Sequence, residues 1–448
     1  MKKRDLFGYG AATIADSGPY NFATVYLILF LTTVVNISPE RAGTISSVII
    51  LADGITGAFI GYISDYTKSK YGRRRPYLLA AVFPLVIGLS LLFSNFQGGQ
   101  VLQTVFYVAA GLMFWLGFSM YYTPYTALGA EITDDYNERS VLRTIARLFG
   151  IAGNLIGTVM PLLAVSFLQQ AGTTESSAWF TVAFTVAAIS GAGILVTWRT
   201  SRGKEKQDAV IDGRFSLKGL AAEYIQIFRL KPFKYMIVVI AMFIIANTFY
   251  NSSMVFFARY SLGIGDEITS SIFMISIIAN LALTPVMGYT AVKFGKKNTV
   301  AASMLISGVG CICFYFIGID SYFMMGLYAV VFSVAYTCFW QLINAVMYDI
   351  SEVAEFKFGK RLEGSISSVY GLVFTIFTSI ATQIFGWILK FNFISAAFML
   401  LPGILLLVTA AAQFMYPINA KTFDKLKEAL ECKKAGKPAD LSGLERIL

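Results

Sequence analysis

The 448-residue chain contains no histidine. Imidazole metal sites, Ser-His-Asp triads and the common imidazole proton relay are excluded with it. Charge is scarce too: 14% of residues are charged, against roughly 25% in a soluble domain. The four cysteines, Cys311, Cys313, Cys338 and Cys432, show no zinc-ligand spacing, so free thiols and no metal are expected. What fills the chain instead is apolar: 56% of residues are hydrophobic and the mean hydropathy is +0.65. Such a composition excludes a disordered chain and argues against a soluble enzyme. The formal net charge of +10 does not imply nucleic acid here, because basic loops on one side of a membrane give the same excess.

A bilayer core of about 30 Å needs about 20 apolar residues in a helix. Twelve segments meet that length: 8–35, 42–64, 77–96, 101–125, 141–169, 178–198, 234–260, 268–291, 298–318, 321–348, 364–390 and 392–416. The basic start Met1-Lys2-Lys3-Arg4 resembles a signal peptide, but the span that follows is too long and lacks a cleavage site, so it reads as retained. Of 36 Lys and Arg residues, 32 fall in the terminal segments and loops on the N-terminal side. By the positive-inside rule both termini are expected in the cytoplasm. Segments 199–233 and 417–448 are too short for a globular core. The first carries Phe215, Leu217, Leu220, Tyr224, Ile225 and Phe228 at helical spacing and predicts an amphipathic helix on the inner membrane face. The second predicts a short helix that frays.

The chain repeats itself. Gly61-Tyr62 closes the second span and Gly288-Tyr289 the eighth, an offset of 227 residues. Asp65 and Gly72-Arg73-Arg74-Arg75 follow the first pair, and Lys293 and Gly295-Lys296-Lys297 the second. The same offset sets Asp53 opposite Asn280. Parallel repeats of this kind pack as two halves with a substrate site between them. The predicted organisation is a six-helix half over 1–198, a linker over 199–233, a second six-helix half over 234–416 and a tail over 417–448.

Ionisable groups within spans cost roughly 2.5–3.5 kcal/mol each, so they mark function. Three lie deep: Asp16, Asp53 and Arg147. A carboxylate such as Asp53 binds a proton or offers oxygen to a cation, with the Thr56 hydroxyl one turn away. Asp16 precedes Gly18-Pro19, which are expected to loosen the helix and free carbonyls. Asp16 accepts two hydroxyl hydrogen bonds and Arg147 donates two, a grip suited to adjacent sugar hydroxyls or a sugar acid. Tyr20, Tyr122, Tyr125 and Trp340 are candidates to stack on a sugar face, and Asn247 to bond its hydroxyls. Asp65 with Arg73, Arg74 and Arg75 is expected to form a latch at the cytoplasmic side.

The repeat and the latch resemble the major facilitator superfamily. More specific stretches narrow the resemblance: Lys68-Ser69-Lys70-Tyr71-Gly72-Arg73-Arg74-Arg75-Pro76-Tyr77, Pro124-Tyr125-Thr126-Ala127-Leu128, Glu131 to Arg139, and Arg361-Leu362-Glu363-Gly364. Across nearly the whole chain these resemble the glycoside–pentoside–hexuronide:cation symporters, the melibiose-permease-like family. The resemblance implies an all-α membrane protein of twelve helices in two pseudo-symmetric halves. It adds Glu131, Arg139, Arg361 and Glu363 to the cytoplasmic gate. Asp53 matches the family's first cation-site aspartate and Arg147 its sugar-binding arginine. The sequence also departs from the family: Gly57 and Tyr122 stand where further cation-site aspartates are expected, Thr375 where a lysine is, Thr126 where a stacking tryptophan is. The sugar-binding aspartate falls at Ser17, with Asp16 beside it. Na⁺ coupling and galactoside specificity therefore do not carry over.

The expected activity is secondary active transport of a sugar, glycoside or sugar acid, with H⁺ rather than Na⁺ as coupling ion and no cofactor. An uncoupled facilitator, or a Na⁺-coupled carrier of an amphiphile such as a lysolipid, is the alternative. A membrane enzyme would need a base or metal cluster that the sequence lacks. A monomer in the bacterial inner membrane is expected, with no nucleic-acid partner.

Overall fold

The computed structural model describes residues 3–67, 69, 71–132, 136–203, 217–359, 363–434 and four positions beyond 441. The described residues are helical, joined by short turns, with no strand among them. In chain order the helices are α1 Lys3–Ala11, α2 Thr13–Thr33, α3 Pro39–Tyr66, α4 Arg75–Leu92, α5 Gln100–Glu131, α6 Tyr136–Asn154, α7 Met160–Gln170 and α8 Glu175–Thr200. They continue as α9 Leu217–Phe228, α10 Lys231–Phe256, α11 Asp266–Phe294, α12 Lys296–Ile317, α13 Tyr322–Phe358, α14 Glu363–Lys390, α15 Leu401–Met415 and α16 Ala420–Lys434. Single π-helical turns, Leu155–Val159, Phe257–Ser261 and Ala396–Leu400, join or extend neighbouring helices.

Among the described residues, ten helices are long and apolar enough to cross a membrane. Helices α2 and α3, of 21 and 28 residues, have the length without being among the ten. The first half of α2 carries Asp16, Ser17 and Asn21, which lowers its apolarity, and several α3 side chains lie outside the description.

Helix ends follow local chemistry. Pro39 opens α3 after an extended Ser38, where a missing N–H costs nothing. Ser321 caps α13 by accepting from Met324 N, and Gly359 ends it at φ 72° in the left-handed region that favours glycine. Inside the bundle, Gly88 and Gly117 let α4 and α5 touch. A Cβ on either would lie 2.4 Å from a backbone nitrogen, of Phe114 and Leu85 respectively.

The chain forms two compact units. The first comprises Met1–Gly213, Met254–Met274 and Thr382–Phe393; the second Arg214–Ser253, Ile275–Ala381 and Ile394–Leu448. Phe22, Phe30, Phe93 and Trp179 make an aromatic core in the first, with ring centroids 4.4–6.3 Å apart. In the second, Tyr250 stacks on Phe332 at 3.8 Å, and the Tyr328 hydroxyl donates to Phe398 O.

One expectation changes here. The first span is not loosened at Gly18-Pro19; α2 continues through Pro19, and the break falls at Ala12. Leu426 and Leu430 of α16, and Leu444 and Ile447 beyond it, are buried; the fraying expected of the tail falls on residues 435–441, which lie outside the described residues. Lys433 Nζ donates to Phe356 O at 2.5 Å, near the C-terminal end of α13, where carbonyls lack helical partners. Within the linker residues 217–228 are helical as α9, with Ile227 buried, Ile225 exposed and Ser365 donating to Glu223; Phe215 and the side chains of Leu217 and Leu220 lie outside the described residues.

Candidate substrate and coupling site

The break at Ala12 sets up the position of Asp16. Interrupting the helix leaves backbone groups without helical partners, and side chains from two other helices take them. Thr197 Oγ1 donates to Gly8 O at 2.6 Å and accepts from Ala12 N at 3.2 Å. Tyr121 donates to Ala12 O, and Tyr125 to Tyr9 O at 3.0 Å. Buried backbone groups are rarely left unpaired, so these bonds hold α1 and α2 as two pieces. Asp16 sits in the first turn of α2, partly exposed. Arg147, exposed on α6, is close enough for its charge to act on that carboxylate. No direct ion pair joins the two among the described residues.

Asp53 is held differently. Ser119 Oγ donates to Asp53 Oδ1 at 2.7 Å, and Thr56 Oγ1 lies 3.0 Å from Ser119 Oγ. Thr56 also bonds Asp53 O at 3.1 Å. A carboxylate and two hydroxyls from α3 and α5 thus share one spot. Gly57 borders it, and a Cβ there would meet only Ser119 Oγ, at 3.9 Å. Ser119 was not singled out in the sequence; a serine in an apolar span carries no signal until the opposing carboxylate is known.

The aromatic candidates divide. Tyr122 is 40% exposed and stacks on Phe118 at 5.7 Å. Tyr20 packs on Trp115 and Phe118 at 5.5 and 5.7 Å. Tyr125 is buried, stacked on Tyr9 at 4.5 Å, with its hydroxyl 2.6 Å from Thr13 Oγ1. Its bonds serve the α1–α2 break. An amide chain also missed in the sequence lies beside them: Asn21 donates to Asn154 Oδ1 at 3.3 Å, and Thr158 donates to the same oxygen at 2.9 Å. It sits at the π turn of Leu155–Val159, a kind of irregularity frequent at functional sites.

In the second unit, Asn251 Nδ2 donates to Asn247 Oδ1 at 2.9 Å. Trp340 contacts the rings of Phe339 and Phe374, and its indole N–H has no hydrogen-bond partner among the described residues. Thr337 Oγ1 donates to Asn280 Oδ1 at 2.9 Å. Asn280 lies at the repeat offset from Asp53 and likewise accepts from a hydroxyl, with an uncharged amide in place of the carboxylate; the donors do not share that offset, since Val346 stands opposite Ser119.

Of the expected cytoplasmic latch, Arg74 and Arg75 are buried. Arg75 donates to Trp198 O and Tyr71 O, each at 3.0 Å, and lies 5.1 Å over the Trp198 ring. Arg74 reaches Ser64 Oγ at 3.5 Å. Arg73 is half-buried. The side chains of Asp65, Glu131, Arg139 and Glu363, and residue Arg361, lie outside the described residues. The first unit also carries contacts that the sequence did not suggest. Arg259 forms a two-point pair with Asp266 at 2.8 and 2.6 Å. Glu267 accepts from Gln170 at 2.8 Å and Ser166 at 3.1 Å. Lys390 pairs with Glu40 at 3.4 Å, and Ser47 donates to Gln383 at 3.1 Å. Glu40 is held below the usual carboxylate range, chiefly by its own backbone amide at the start of α3 and then by Lys390.

The family described as MFS/sugar transport protein matches residues 8–420. The isoprimeverose transporter of Lactiplantibacillus pentosus is 26% identical over 376 residues, 81% of this chain and 75% of its own. The glucuronide carrier protein homolog of Escherichia coli is 23% identical over 371 residues, 82% of this chain and 79% of its own. Among solved structures, a POT family transporter in complex with a thioalcohol conjugated peptide superposes with a TM-score of 0.69 at 13% identity, over 92% of this chain and 95% of that one. At that identity the likeness concerns the fold alone.

Proposed function

The chain belongs to the MFS/sugar transport protein family, and from that premise we propose that it moves a sugar, glycoside or sugar acid across the bacterial inner membrane by alternating access, coupled to H⁺. It is a secondary transporter, not an enzyme. In this reading α2 and α3 join the ten apolar helices to make twelve spans in two six-helix halves, with both termini cytoplasmic and the protein acting as a monomer. Cysteine labelling tests the topology: residues placed at 139 and 296 should react from the same side, and reaction from opposite sides would refute it.

The observation that carries the mechanism is the separation of two carboxylates. Asp16 lies under the influence of Arg147, whereas the polar partner acting on Asp53 among the described residues is Ser119. Asp16 and Arg147, with Tyr20 and Tyr122 nearby, grip the substrate. Asp53 takes up and releases the proton. A lone carboxylate in an apolar span is stabilised by protonation, since hydrocarbon disfavours the charged form. Asn247 and Trp340 are the second half's contributions to substrate binding. The relatives named for isoprimeverose and glucuronide support the carbohydrate class, and Arg147 suits a sugar acid.

Na⁺ coupling is the second reading, favoured by the two hydroxyls beside Asp53. Sodium prefers several oxygens and compensating charge, which one carboxylate supplies poorly. Proteoliposomes distinguish the readings. Sugar accumulation driven by a pH gradient without Na⁺ is expected. Accumulation that follows only a Na⁺ gradient at equal pH would overturn proton coupling, and equilibration without accumulation would identify a facilitator.

A further inference from the structure

A small cavity lies wholly within the first unit, between α2, α3, α5 and the Thr382–Phe393 part of α14. Most of its wall is aliphatic, from side chains such as Leu27 and Ile49. Four polar side chains also line it, Thr24, Ser46, Trp115 and Thr382; the Thr24 hydroxyl donates to Tyr20 O at 2.9 Å, and Ser46 and Trp115 are each 2% exposed. Ser46 Oγ and Trp115 Nε1 are buried without a hydrogen-bond partner among the described residues.

An unpartnered indole alone would mean little, because Trp179, Trp198 and Trp340 show the same. The serine changes the argument. A buried hydroxyl on a helix normally bonds back to a carbonyl of its own preceding turn. Thr24 bonds Tyr20 O at 2.9 Å, Thr44 bonds Glu40 O at 2.8 Å and Ser47 bonds Thr44 O at 3.0 Å. Ser46 does not. Ser46 and Trp115 line the same cavity, and burial without a partner is unfavourable for the hydroxyl and for the indole N–H.

The chemistry of the wall selects the ligand. An indole N–H only donates, so it requires an acceptor; a serine hydroxyl either donates or accepts. No charged side chain lines the cavity, so an anionic group would be desolvated without compensation. The space is about 10 Å³, so it admits a single neutral hydroxyl oxygen, which satisfies both atoms. The location fits a substrate route. Ser46 precedes Asp53 by seven residues, about 10 Å along the axis of α3, and Trp115 precedes Ser119 by one turn of α5. The cavity and the Asp53–Ser119 pair therefore lie along the same two helices.

We propose that Ser46 and Trp115 form a subsite for one neutral hydroxyl group of the transported carbohydrate. This rests on the transport reading above and adds a specificity determinant to it.

The test is a cycle between protein and sugar, run on the full-length protein in nanodiscs. Isoprimeverose, methyl β-glucuronide and single-deoxy analogues of each serve as probes, against wild type, Trp115→Phe and Ser46→Ala. Trp115→Phe keeps a ring against Tyr20 while removing the donor, and Ser46→Ala removes only an oxygen. For a bound sugar, each substitution is expected to weaken binding about tenfold, the scale of one hydrogen bond. The deoxy analogue lacking the recognised hydroxyl should bind wild type and both variants alike. Equal losses for parent and every deoxy analogue, or no loss at all, would overturn the subsite and leave water or plain packing as the role of these atoms. Wild-type protein that binds none of the probes would overturn the transport reading and the subsite together. Sugar binding by wild type with an unresponsive cycle overturns the subsite alone.

Discussion

Ser119 Oγ donates to Asp53 Oδ1 at 2.7 Å, bridging two helices inside the first unit. In the second unit Asn280 Oδ1 accepts from Thr337 at 2.9 Å. Asp53 and Asn280 stand at the 227-residue repeat offset, so one half of the repeat carries a titratable group where the other carries an amide.

Removing the donor should alter coupling before it alters substrate binding. Ser119→Ala is expected to change the pH dependence of accumulation while sugar exchange at equal pH persists, and Asp53→Asn to abolish accumulation with exchange retained. Counterflow and pH-gradient uptake measured on the same proteoliposomes check both.

Placing a charge at the neutral counterpart should be costly. Asn280→Asp adds an ionisable group within a span, at roughly 2.5–3.5 kcal/mol, and lowers the thermal midpoint in detergent. Asn280→Thr should cost much less, because it adds no charge.

Arg147→Lys keeps the positive charge and loses the planar two-point donor. Sugar affinity is expected to fall about tenfold or more, the difference between a forked and a single charged contact. Titration calorimetry reads this directly, and normal affinity for every transported sugar would make Arg147 purely structural.

The Glu40–Lys390 pair should survive mild acid. Glu40 titrates below its ordinary value, so whatever the pair contributes is complete above the usual carboxylate value of about 4.3 and is lost as pH falls through the lower folded value. Between pH 7 and 5, wild type and Glu40→Gln should therefore show parallel transport rates, with no added pH step in wild type.

The C-terminal helix should be part of the folded second unit. Leu426 is fully buried, and Leu426→Ala is expected to cost about 2–5 kcal/mol, as for other buried leucines. Lys433→Met should cost less, since it removes one contact to a carbonyl at the end of α13. Thermal unfolding of both variants checks the order.

Much of this protein is determined by its sequence alone, because the properties concerned are local or additive. Apolar runs at bilayer length dictate membrane helices, one-sided basic residues dictate the expected topology, and the cost of burying charge makes Asp16, Asp53 and Arg147 conspicuous without any coordinates. The partners of those groups are another matter. Ser119 is 66 residues from Asp53, and nothing local distinguishes it from other serines in apolar helices; its role exists only once α3 and α5 pack side by side. The same holds for Thr197 at the Ala12 break, which periodicity passes over in favour of Pro19. Arg75 reads as one charge of a cytoplasmic latch in sequence, and only the fold shows it buried over the Trp198 ring. Tertiary structure decided these points because a hydrogen bond depends on ångström-scale placement of two distant atoms, whereas hydropathy depends only on what each residue is.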